Sequence, residues 1–321
     1  MIAAMEPREW LTFIETEYLK DFIKDGGAAI KFAVPMDDQA RSLVSEGLVR
    51  RAQELGFVVA VLDASATKVH LTEQLFFRVA EQVPWQQLRQ KVIARIAEVP
   101  EVKIGELSVE RIAAVYGVER KELLLELRPK IVGKVFKNRA LSKDFRVAMM
   151  QMCMAEISGG EDGGTTIQAL TDWLTGRNNA ISAVKPYQIF SRINRTNARF
   201  LLESLLRWIR FAGIPGLLIV LDLRRLAVPR NPHDDLVYYS KAAVLDAYEV
   251  LRQFLDGVDR LSGCLMVVQP DVAFLDDFSR GIHAYEALKF RVYDEIHDKR
   301  LVNPLAALVR LSSAVESRSH A

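Results

Sequence analysis

The stretch from Ile30 to Ser65, IKFAVPMDDQARSLVSEGLVRRAQELGFVVAVLDAS, constrains the fold more than any other. An apolar run, AAIKFAV, breaks at Pro35 and gives way to residues 38–55, where Leu43, Leu48, Val49, Ala52 and Leu55 recur at helical spacing and Gly56 ends the pattern. FVVAVLDAS follows, almost wholly apolar, as a strand buried on both faces of a parallel sheet would be. Strand, helix and strand with short joints predict a βαβ unit with a right-handed crossover.

The rest of the chain extends this frame. EWLTFIETEYLKDFIKDGG reads as a helix that stops at Gly26-Gly27. Residues 71–157 are helical in period, with breaks expected at Pro84, Pro100 and Pro129, and GGEDGG (Gly159–Gly164) reads as a flexible loop. TTIQALTDWLTG and YQIFSRINRTNARFLLESLLRWIRFAG predict further helices. GLLIVLDLRRL, GCLMVVQP and AALVRLSS are apolar runs of strand length near the C-terminus, with a helix over YYSKAAVLDAYEVLRQFLDGV. Strands at both ends with helices between them predict an α/β fold: a parallel sheet flanked by helices, carrying a large helical insertion. Three segments are expected: 1–84 and 211–321 as the two parts of the α/β domain, and 85–210 as a mainly helical, basic insertion.

The loop after the first strand can be tested against phosphate chemistry. A phosphate-binding loop, G-x-x-x-x-G-K-[ST], places successive backbone N–H groups on phosphate oxygens, with a lysine at the β/γ phosphates and a hydroxyl on magnesium. The matching positions here are Pro35-Met-Asp-Asp-Gln-Ala40-Arg41-Ser42. Pro35 has no N–H, Asp38 and Ala40 carry side chains where backbone must approach, and Arg41 replaces the compact ammonium. Only Ser42 fits. Asp37 and Asp38 bring negative charge, and either suits a helix N-cap. The second support of such a site is an apolar strand ending in an acidic pair. GLLIVLDL supplies Asp222, but Leu223 stands where the catalytic base would be. Lesions in both motifs predict a degenerate nucleotide site with no catalytic residue of its own.

The chain resembles the P-loop ATP-binding proteins of BREX-type phage-defence systems, which are AAA-like ATPases. EYLKDFIKDGGAAIKFAV, RRAQELGFVVAVLDAS, DWLTG, INRTNARFLLESLLRWIRFAGIPGLLIVLD, AYEVLRQFLDGVDRLSGCLMVV and FLDDFSRGIHAYEALKFRV…NPLAALVRL carry the resemblance in the family's order. It implies a P-loop NTPase (AAA-like) fold, with the family's first loop glycine at Pro35, its lysine at Arg41, its Ser/Thr at Ser42 and its acidic pair at Asp222-Leu223. It also implies an arginine reaching a neighbouring subunit's γ-phosphate, for which Arg280 and Arg291 are candidates; a surface ion pair is the plainer role for each.

Charge adds a further theme. Residues 1–84 carry nine Lys+Arg against thirteen Asp+Glu, residues 85–150 fourteen against eight, and residues 177–210 seven against one. Arg177, Lys185, Arg192, Arg195 and Arg199, interleaved with Asn and aromatic residues, suit contact with DNA phosphates or with a partner subunit. VERIAAVYGVERKELLLELRPK has helix-turn-helix spacing, but Glu119, Glu122 and Glu126 oppose duplex entry. The five histidines, His70, His233, His283, His297 and His320, show no metal-ligand spacing. Cys153 and Cys264 lie in apolar contexts that suit reduced, buried thiols. With no signal pattern and no long apolar run, a cytoplasmic protein without a membrane role is expected.

Three functions follow. The first is an inactive subunit acting as scaffold or regulator in an anti-phage assembly, beside other defence proteins such as an intact ATPase, with no cofactor. The second is a divergent ATPase that binds ATP and magnesium and takes its base from a partner. The third is a DNA-binding protein using the basic helical region.

Overall fold

The computed structural model describes residues 4–99, 109–227, 230, 238–293 and 302–314. The chain divides into two compact units, Met1–Val79 with Pro215–Ala321, and Ala80–Ile214. In chain order the first unit begins with α1 (Pro7–Phe13), β1 (Ala28–Pro35), α2 (Asp38–Glu54) and β2 (Val58–Asp63), and the chain leaves it through α3 (Thr72–Glu81). The second unit holds α4 (Trp85–Ile96), α5 (Val109–Tyr116), α6 (Arg120–Ile131), α7 (Lys143–Ser158), α8 (Gly160–Leu174), α9 (Ile181–Val184) and α10 (Ala198–Phe211). The chain then returns to the first with β3 (Leu217–Leu223), α11 (Arg224–Ala227), α12 (Lys241–Asp256), β4 (Cys264–Pro270), α13 (Ala273–Asp276), α14 (Glu286–Val292) and β5 (Leu308–Leu311).

The five strands form one parallel sheet in the order β2-β3-β4-β1-β5. β1 and β2, joined by α2, are therefore not neighbours, because β4 and β3 lie between them. The helix α2 buries a stripe of Ala40, Val44, Leu48 and Ala52, with Leu43, Val49 and Leu55 half-buried beside it. Val44, Leu48 and Ala52 of this stripe pack with Trp10, Leu11, Ile14 and Leu19 against Ala33, Val220, Val267 and Val309 of the sheet. α1 widens after Phe13 into a π-helical stretch, Ile14–Phe22, which closes with the Ile23 amide donating to the Tyr18 carbonyl at 2.8 Å. Phe32 stacks on Phe274 at 5.8 Å, and Tyr248 meets Phe274 edge-on.

Several expectations are corrected. β2 is an edge strand rather than one buried on both faces, and Val61 is 47% exposed. GGEDGG is no loop. Gly159, at φ 68°, ends α7, and α8 begins at Gly160 with Glu161 and Asp162 complementing its N-terminus. Gly163 is required there because a Cβ would meet the Ala155 carbonyl oxygen at 2.7 Å, so α7 and α8 form a tight hairpin. Pro129 lies inside α6, which continues into a π-helical turn over Val132–Phe136. The long helix expected from YQIFSRIN begins only at Ala198, residues 188–197 having no regular structure. The break expected at Pro100 lies outside the described residues.

Candidate functional site

The strand β1 carries the chain to the carboxyl end of the sheet, where parallel α/β proteins place their ligands. Only Met36 and Asp37 separate it from α2. Asp37 is the N-cap: it has extended dihedrals, and its Oδ1 accepts the Ala40 amide at 2.7 Å. The same carboxylate accepts the Ser312 hydroxyl at 3.1 Å and the Ser313 amide at 3.0 Å, tying the chain after β5 to the start of α2. Burial pushes the Asp37 carboxyl up, but the bonds from Ala40, Ser313 and Ser312 outweigh it and hold it below the usual carboxylate range.

A phosphate loop needs free amides facing one point. Here Pro35 has none, the Met36 amide donates to the Leu311 carbonyl at 2.8 Å, the Ala40 amide to Asp37, and the Arg41 amide to the Asp37 carbonyl at 3.1 Å. Asp38 and Ala40 are already wound into α2, so the segment that would curl round a phosphate is helix. Ser42 is exposed at the start of the second turn.

Arg41, which the resemblance sets at the phosphate-binding lysine, is buried, at 7% exposure. Its guanidinium reaches across the sheet end to the Gln269 carbonyl at 3.2 Å and the Pro270 carbonyl at 2.8 Å, both on β4, and to Asp222 Oδ1 on β3 at 3.4 Å. Burial lowers the pKa of Arg41 and the Asp222 carboxylate opposes it; an arginine keeps its charge in such a setting. Asp222 also accepts the Arg224 amide at 2.8 Å and the Arg224 guanidinium at 3.2 Å. Leu223 is 1% exposed, packed in the sheet beside Pro270. The cation of one motif thus neutralises the acid of the other, and the carboxylate that would hold magnesium is engaged by two arginines. These residues do not fit a triphosphate with its metal.

One member of this cluster escaped sequence reasoning. Gln269 is fully buried, and its Oε1 accepts the Ser45 hydroxyl at 2.7 Å, while its Nε2 has no hydrogen-bond partner among the described residues. Its signal was a polar side chain inside the otherwise apolar GCLMVVQP. The Ser312–Ser313 clamp on Asp37 left no comparable trace.

The other candidates are dispersed. Arg280 turns inward, donating to the Tyr239 carbonyl at 2.6 Å, while its own carbonyl accepts the Tyr248 hydroxyl at 2.6 Å. Arg291 makes a two-point ion pair with Asp256 at the surface and donates to the Ala287 carbonyl at 2.6 Å. In the helical unit Arg177 lies 3.9 Å from Asp172, and Arg199 lies 3.4 Å from the buried Glu203. Lys185, Arg192 and Arg195 are exposed. α5 and α6 form a helical pair joined at Gly117, and Arg120 on α6 is bound to Glu110 on α5 at 2.9 Å. Both cysteines are buried, which pushes each thiol up to about 12. His233, His297 and His320 lie outside the described residues.

A parallel sheet in this order, with a helix entering after the interior strand β1 and an acid at the end of β3, defines a P-loop NTPase-like α/β protein. The sequence model of the family described as BREX system ATP-binding protein BrxC/D matches residues 16–319. The chain therefore belongs to that phage-defence family over nearly its whole length. No curated protein and no solved structure matches the chain. Among the described residues no helix is long and apolar enough to cross a membrane.

Proposed function

We propose that this chain is a non-hydrolysing member of its family, a cytoplasmic scaffold or regulatory subunit that works by contact with other defence proteins. The observation that supports it is Arg41, folded onto Asp222 and the carboxyl ends of β4. A permanent internal cation takes the place that a phosphate-bound cation and its metal would share, so the sheet end is held closed by the protein's own charges. A partner ATPase gains from such a subunit a surface of the family's shape that does not cycle.

The test is titration calorimetry of the full chain with ATP and magnesium, together with phosphate release and a phage-challenge assay. No binding in the micromolar range and no turnover are expected, and Ser42→Ala should leave phage resistance unchanged. Micromolar affinity with turnover, abolished by Arg41→Ala or Asp222→Ala, would establish a divergent ATPase instead.

A further inference from the structure

The helical unit holds a cavity of about 400 Å³, far in sequence from the strand-end site and independent of the reading given to it. Two phenylalanines line it, Phe190 from the 188–197 segment and Phe200 from the first turn of α10, and they are 60% and 49% exposed. Two exposed rings lining one cavity are costly to keep in water and mark a surface that receives something. Leu201 adds a further apolar side chain, and Ser142, Lys143, Asp144, Ser191 and Asn197 complete the lining. Ser142 keeps a buried hydroxyl oxygen without a hydrogen-bond partner among the described residues, and Asp144 accepts the Ser191 hydroxyl. Lys143 stands exposed on the wall, and Arg192, next to the lining Ser191, is exposed too.

The chain segments that build the cavity are strongly basic. Residues 134–146 contain Lys134, Lys137, Arg139, Lys143 and Arg146 against Asp144, and residues 185–210 contain Lys185, Arg192, Arg195, Arg199, Arg207 and Arg210 against Glu203. Aromatic faces, the Ser142 hydroxyl and Lys143 on the wall, on segments rich in cations, match three parts of one ligand: a flat ring, a base edge and a phosphate. A duplex cannot offer the ring, because its bases are stacked and paired. An apolar peptide would leave the Ser142 hydroxyl unmatched.

We infer that this cavity accepts an unpaired base of single-stranded nucleic acid, stacked against Phe190 and Phe200 with its phosphates on Lys143 and Arg192. The probe is a fluorescein-labelled oligothymidylate of about a dozen nucleotides, a length within the usual site sizes, followed by anisotropy on the full chain. The single strand should bind at low salt, weaken steeply as salt rises, and exceed a duplex of similar length by about tenfold. Phe190→Ala and Phe200→Ala should each weaken it by about tenfold, and Phe190→Tyr should restore most of the loss. Arg192→Glu should flatten the salt dependence. Both rings are exposed, so thermal unfolding should be unchanged in these variants, which separates lost binding from lost folding. Equal affinity for duplex, no binding at low salt, or full binding by the Phe190→Ala/Phe200→Ala double variant would each overturn the inference. Lost phage resistance in that double variant without any oligonucleotide binding in the wild type would place a protein in the cavity instead. ATP calorimetry is unaffected by either result.

Discussion

Two buried cations show how single residues decide what this sheet can do. Arg41 is satisfied by strand-end carbonyls and a carboxylate. Lys31, in the middle of β1, has a subtler solution. Its ammonium donates to the Leu305 carbonyl at 2.6 Å and the Ala306 carbonyl at 3.2 Å, and lies 4.7 Å above the Tyr18 ring. Among the described residues no carboxylate pairs with it, and burial lowers its pKa from 10.5 to about 8. Unfolded, Lys31 keeps its proton up to about 10.5; folded, only to about 8. Between those values the unfolded chain binds more protons, so the residue's contribution to stability rises with pH across that window. Below about 8 its penalty is constant. Urea unfolding of wild type and Lys31→Met at several pH values should therefore show a difference that is flat below pH 8 and shifts in favour of wild type above it. A difference independent of pH up to 10.5 would show that the buried ammonium titrates normally.

Whole elements were legible where local chemistry and tertiary role agree. β1, α2, β3 and β4 lie where apolar runs, helical spacing and short joints put them. The edge position of β2 was not legible, because an apolar composition says nothing about strand order and the edge strand still buries Val58, Ala60 and Leu62. Pro129 misled because a helix can carry a proline at a position where the freed carbonyl meets water; Leu125, four residues before it, is 69% exposed. GGEDGG misled because four glycines suggest a loop, whereas one caps α7 and another allows close packing. That difference gives opposite predictions one residue apart. Gly163→Ala drives a Cβ against the Ala155 carbonyl, and moving backbone should cost about 1–3 kcal/mol. Gly164→Ala meets nothing within 4 Å on an exposed face and should stabilise by about 0.5–1 kcal/mol. Paired urea melts read both signs, and equal shifts would refute the hairpin packing. The candidate site divides in the same way. Its lesions at Pro35, Arg41 and Leu223 were readable because they interrupt a motif, while the destination of the Arg41 side chain depends on strands far away in sequence.

At the scale of the molecule, the sheet order makes the two units differ in how they must fold. β1 lies between β4 and β5, and β2 pairs only with β3. The chain before residue 80 thus contributes two strands that never touch each other, and each gains its partners from beyond residue 215. Residues 1–79 alone have helices but no sheet to cover, so Trp10, Ile14, Val44 and Leu48 lose the surface they pack on. The helical unit is continuous in sequence, and its Leu88, Phe145, Met149, Met152, Trp173 and Trp208 are buried, with Phe145 edge-on to Trp208. A fragment of residues 82–214 should therefore be helical by circular dichroism and unfold in urea as one cooperative step. Residues 1–79 alone should lack cooperative unfolding, and mixing with residues 215–321 should restore sheet signal, because only then do β1 and β2 meet their neighbours. A non-cooperative 82–214 fragment would mean that its core is completed by the sheet unit. Independent folding would let the helical unit exchange ligands or partners while Arg41 stays bound to Asp222 and the β4 carbonyls, which suits the non-hydrolysing subunit proposed above.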